Sequence, residues 1–77
     1  MKITLESTTK VVELRTPTGT VQARIWEGTT ASGIPIHAYV TRIAVDHQAD
    51  HTEFERELAE CRAPSPALEA LPSRLVL

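Results

Sequence analysis

Apolar and polar residues alternate through most of the first 45 positions, and nothing else in the chain restricts its fold as much. Ile3 and Leu5 flank Thr4, and Val12 and Leu14 flank Glu13. Val21, Ala23 and Ile25 interleave with Gln22, Arg24 and Trp26, and Ile34, Ile36, Ala38 and Val40 with Pro35, His37, Tyr39 and Thr41. A period of two, rich in β-branched residues, predicts strands with one face against a core. Thr16-Pro17-Thr18-Gly19 reads as a tight turn, with Pro pre-set for its second position and Gly free to take positive φ. Gly28 to Gly33 reads as a looser hairpin connection.

Two registers follow. Pairing Arg15 with Thr20 sets Leu14 opposite Val21 and Val12 opposite Ala23. Pairing Glu27 with Ile34 sets Ile25 opposite Ile36 and Ala23 opposite Ala38. Both place the same middle-strand residues toward the core, as a single sheet requires. Residues 2–6 and 10–14 form either one bent strand or two, and Thr8-Thr9 between them suits a bulge.

The pattern changes after Val45. Thr52 with Glu55 forms a capping box, and Asp50 with Glu53 is the alternative helix start. Phe54, Leu58 and Cys61 then fall at i, i+4 and i+7, a narrow apolar stripe that makes Cys61 a buried structural thiol. Pro64 stops the helix, Ser65-Pro66 caps a short turn of helix through Leu71, and Arg74 to Leu77 is apolar enough to dock as a last strand. The expected architecture is α+β: an antiparallel β-meander of three to five strands over 1–45, a loop over 46–51, a helix over 52–62 packed on the sheet, and a Pro-containing, docked C-terminal segment over 63–77.

At 77 residues there is room for one small domain and one small core. That size leaves little space for a substrate pocket, and no Gly-x-Ser-x-Gly or phosphate-binding Gly-rich loop is present, so no enzyme and no cofactor are expected. The charge-free stretch Gly28 to Thr41 is far shorter than a membrane span, and the start Met-Lys-Ile-Thr-Leu-Glu lacks the apolar run of a secretory signal. With a single cysteine, a reduced cytoplasmic chain is the expectation. Net charge is −2, divided into +2 over residues 1–45 and −4 over residues 46–77. Neither half has the basicity of an autonomous nucleic-acid binder.

Two groups of residues invite a functional reading. The predicted registers collect Val11, Arg24, Trp26, His37 and Tyr39 on the outward face of the sheet. Trp, Tyr and Arg are enriched at binding hot spots because they bring large area and a polar handle at low entropy cost. The competing occupants of that face are the chain's own helix, which would make Trp26 core, and nucleic acid stacked on the aromatic pair. The second group is His47, His51 and Glu55, which would align at i, i+4 and i+8 toward a metal ion if the helix began at Asp46. The capping signals start it after Asp50 instead, which leaves His47 in a solvated loop.

The stretches Ala23-Arg24-Ile25-Trp26-Glu27-Gly28-Thr29-Thr30 and Ser32-Gly33-Ile34-Pro35-Ile36-His37-Ala38-Tyr39-Val40-Thr41-Arg42-Ile43-Ala44-Val45, with the ending Pro64-Ser65-Pro66 to Pro72-Ser73-Arg74-Leu75, resemble a group of short proteins of temperate phages and prophages of Gram-negative bacteria. That resemblance implies a setting, the cytoplasm of a bacterial host, and no activity. Small phage proteins without catalytic residues often occlude or bridge host machinery, as anti-CRISPR and other anti-defence proteins do. The expectation is therefore a protein–protein inhibitor or adaptor that acts on a host or phage protein. Its rivals are a virion or assembly accessory, a homodimeric structural protein, and a nucleic-acid- or metal-binding accessory protein.

Overall fold

The computed structural model describes residues 1–76 and shows a small α+β fold: one open, mixed four-stranded sheet with short helices. Its elements in chain order are β1 (Ile3–Thr16), β2 (Gly19–Thr30), β3 (Pro35–Val40), α1 (His51–Leu58), α2 (Pro66–Glu69) and β4 (Arg74–Val76). The strand order is β3-β2-β1-β4, with β1, β2 and β3 antiparallel and β4 parallel to β1. Leu77 lies outside the described residues.

β1 is one bent strand. Ser7 faces Trp26 and Val11 faces Arg24, so three residues, Thr8 to Lys10, oppose Ile25 alone. A bulge of this kind strands main-chain polar groups, and side chains take them up. The Thr8 hydroxyl, fully buried, donates to the Ile25 carbonyl at 2.6 Å and accepts from the Lys10 amide at 3.2 Å. Arg24 Nη1 donates to the Thr8 carbonyl at 2.7 Å.

The first hairpin pairs Arg15 with Thr20 around the two-residue connection Pro17-Thr18, with Gly19 at positive φ. The second departs from expectation. β2 runs on to Thr30, the turn is Ala31 to Ile34 with Gly33 at φ +87°, and Ile25 faces Tyr39 rather than Ile36. Gly28 is a strand residue, not the start of a loop. A Cβ there would lie 1.6 Å from the Thr4 carbonyl oxygen, so glycine is required by the close approach of β1. The register moves by three residues, an odd number, and therefore turns β3 over.

The core lies on the sheet face that carries Val12, Leu14, Ala23 and Ile25. Leu68 of α2 closes over it at 3% exposure, with Leu71 and Leu75 packed at its margin. Each of the fully buried Val12, Leu14, Ile25 and Leu68 side chains contributes about 1.5–3 kcal/mol on burial. α2 is held at both ends. Ser65 caps its start by accepting from the Leu68 amide at 3.3 Å. Lys10 Nζ donates to the carbonyls of Glu69 and Leu71 at 3.3 and 3.1 Å, where a cation also complements the helix dipole.

α1 is shorter than expected: His51–Leu58 in place of 52–62. Asp50, not Thr52, is its cap, accepting from the Glu53 amide at 3.0 Å. The helix stops because residues 60–62 turn to the open side of the β1 bulge. Ser7 Oγ donates to the Glu60 carbonyl at 2.7 Å, the Arg62 amide to the Ser7 carbonyl at 3.1 Å, and the Thr9 amide to the Arg62 carbonyl at 2.9 Å. Those partners on β1 replace the bonds that further helix would have made. Cys61 is consequently exposed, against the expectation of a buried thiol.

Candidate interaction surface

Trp26 stands on the face opposite the core, beside Ala38 of β3 and Ser7 of β1. It is half-buried and forms the floor of two adjoining grooves. One, of about 280 Å³, runs between Trp26, Arg24, Val40, Arg42, Ile43 and Leu58. The other, of about 400 Å³, lies between Trp26, Leu5, Glu6, Glu57, Glu60 and Arg62. Cations line the first, and carboxylates dominate the second. The indole thus sits on a boundary between the two signs of charge.

α1 forms the far wall of both grooves without sealing either. None of its residues is buried, and Leu58 is 50% exposed. Its charges are turned mainly on one another: Arg56 bonds Glu53 and reaches Glu60 at 2.8 Å. The bond from Arg56 holds the Glu53 carboxyl below its ordinary range. Such exposed pairs add little to stability.

The five residues expected on one face do not share it. Val11, Arg24 and Trp26 do, since their registers place them together and Val11 is 42% exposed beside Arg24. His37 and Tyr39 are on the core side, opposite Glu27 and Ile25. The odd shift in the second hairpin is the physical reason. Both remain exposed at the open edge, edge-to-face with ring centroids 5.3 Å apart and His37 Nε2 at 3.1 Å from the Tyr39 hydroxyl. Arg24 also has work inside the fold, because its guanidinium serves the bulge carbonyl of Thr8.

His47 lies in the turn before α1 and is exposed, 3.9 Å from Asp46. His51 is the first residue of α1, with Nε2 at 3.2 Å from the Asp46 carbonyl, and Glu55 follows one turn later. The cap at Asp50 keeps His47 off the helix. Among the described residues no three His, Cys, Asp or Glu side chains are grouped to hold a metal ion. No helix among them is long and apolar enough to cross a membrane.

One polar cluster escaped the sequence reading. Glu27, its side chain 16% exposed, accepts from the Ser65 hydroxyl at 2.5 Å, the Ser65 amide at 2.9 Å and Arg62 Nη1 at 3.1 Å. The two Ser65 bonds, with the Arg62 guanidinium behind them, hold the Glu27 carboxyl below the usual carboxylate range despite the opposing effect of burial. The cluster ties the entry of α2 to β2. No local signal announces it, since its members are 35 and 38 residues apart. Comparison of the chain with protein-family models, with curated proteins and with solved structures finds no match.

Proposed function

We propose that this chain is a stoichiometric protein-binding module, and that it engages its partner through the grooved face around Trp26. The observation that supports this most is the half-buried indole between two grooves, with apolar Val40, Ile43 and Leu58 beside it, cations along one groove and mainly carboxylates along the other. An anchor of that kind offers a partner area in the centre and charge at the rim, the usual distribution of energy at an interface. The opposed charges fix orientation and speed encounter more than they add affinity. The contact set is Trp26, Arg24 and Val11, with Arg42 and Leu58 joined to them; His37 and Tyr39 belong to a separate surface.

The resemblance to short phage and prophage proteins adds the setting. In that setting the module is an inhibitor or adaptor of a host protein in the bacterial cytoplasm, in the manner of anti-defence proteins such as anti-CRISPRs. Catalysis is no part of the reading, because binding at such a surface suffices to occlude a partner.

Affinity capture from host lysate, with mass spectrometry and near-equimolar recovery as the criterion, tests it. The reading expects one protein to be retained by the unmodified chain and by Tyr39→Ala, and lost from Trp26→Ala and Arg42→Glu. Circular dichroism of each variant separates loss of contact from loss of fold. Retention by the two groove variants, or no equimolar partner at all, overturns it.

A further inference from the structure

The two edges of the sheet are treated differently. Beyond β1, the Arg62 segment and β4 take up main-chain groups along the strand. β3 ends the sheet on the other side, and among the described residues no main-chain hydrogen bond reaches its outer edge. Thr30 donates to the Ile34 carbonyl at 3.0 Å, so the bonded positions of the antiparallel β2–β3 ladder alternate from there and fall on Ile36, Ala38 and Val40. Pro35, His37 and Tyr39 therefore turn their main-chain groups away from β2. Pro35 has no N–H to offer, but His37 and Tyr39 each present a donor and an acceptor to solvent.

We propose that this edge pairs with the same edge of a second copy of the chain, antiparallel, about a two-fold axis through Ala38. The inference is independent of the Trp26 surface. In this register His37 faces the partner's Tyr39 and Tyr39 faces the partner's His37, and each pair exchanges both of its main-chain bonds. The pattern is self-complementary, as an isologous interface demands. Three further features favour a second copy. No charged residue lies between Glu27 and Arg42, so the pairing opposes no like charges along the strand. Ala38, the smallest chiral side chain, stands where the two strands approach most closely. On the core side, the partner's Tyr39 ring meets His37 at the mouth of a groove of about 200 Å³ lined by Glu27, Pro35, His37, Ser65, Ala67 and Leu71. The defect at Pro35 falls at the end of the pairing, where it costs one bond per copy and leaves the central ones intact.

A six-residue strand edge with two rings is at the small end of specific interfaces, so association is expected in the micromolar range and depends on concentration. Sedimentation velocity of the full chain should show the mass moving from 8.5 kDa toward twice that value as concentration rises. His37→Pro removes an outward donor that β2 does not use, and Tyr39→Lys places a charge on the edge; both should stay monomeric while folded. Amide exchange on the unmodified chain provides a readout free of any folding defect. The His37 and Tyr39 amides should exchange about tenfold or more slower as dilute monomer becomes concentrated dimer, with Ala38 protected throughout. A mass fixed at 8.5 kDa up to about 1 mM, unchanged His37 and Tyr39 exchange, or dimerisation of both folded variants overturns the proposal.

Discussion

The two faces of the sheet are covered by helices of unequal reach. α2 has four residues and drives Leu68 to 3% exposure over Val12, Leu14, Ala23 and Ile25. α1 has eight residues and buries none of them, leaving Leu58 50% exposed at the rim of the Trp26 grooves. Length therefore says nothing about which helix holds the fold. α2 is anchored by its Ser65 cap, by Glu27 beneath that cap and by Lys10 at its far end, and so its one leucine is pressed onto the sheet. α1 is anchored to itself, through its cap and its Arg56 ion pairs. The packed face supplies stability, and the loosely covered face leaves Leu58 open to solvent.

Substitutions can break that contrast or sharpen it, and the largest effect is expected in the sheet. Gly28→Ala puts a methyl group into the Thr4 carbonyl and should cost more than about 4 kcal/mol in denaturant unfolding, or prevent folding. Gly28 is on the Trp26 side, so this loss shows that the backbone, not α1, is what that face cannot spare. Leu68→Ala on the packed side should cost about 2–4 kcal/mol by the same measurement.

Glu27→Gln keeps the shape of the α2 latch and removes its charge, for about 1–2 kcal/mol near neutral pH. Because the folded-state pKa of Glu27 lies below its unfolded value, its contribution is complete above the unfolded pKa and fades as pH falls through the folded one. Melting temperature should therefore drop as pH falls through and below the ordinary glutamate range, and the drop should be smaller in Glu27→Gln. Leu58→Ala on α1 closes the series at about 0.5 kcal/mol or less, since a half-exposed side chain leaves no cavity. Equal costs for Leu58→Ala and Leu68→Ala would erase the distinction between the faces.

Much of this organisation is legible in the residues themselves. The alternation over Val12, Leu14, Ala23 and Ile25 names the core, and Thr16-Pro17-Thr18-Gly19 has the chemistry of the turn it makes. Ser65-Pro66 announces the start of α2 by the same kind of local rule. Long-range contacts carry no such mark. Gly28 resembles a chain break because the Thr4 carbonyl that requires it is 24 positions away, and the local signal alone therefore predicts the opposite face for His37 and Tyr39. The end of α1 is set by the bulge at Thr8 to Lys10, and the periodicity of Phe54, Leu58 and Cys61 cannot reveal that competition.

Native-state amide exchange, residue by residue, tests the division between the faces most directly. Amides of α1 should exchange through local opening at a small fraction of the global unfolding free energy, while those of Val12, Leu14, Ala23 and Ile25 should exchange only with global unfolding. Equal protection of α1 and the β1–β2 core would contradict the account, because α1 would then be part of what holds the sheet together.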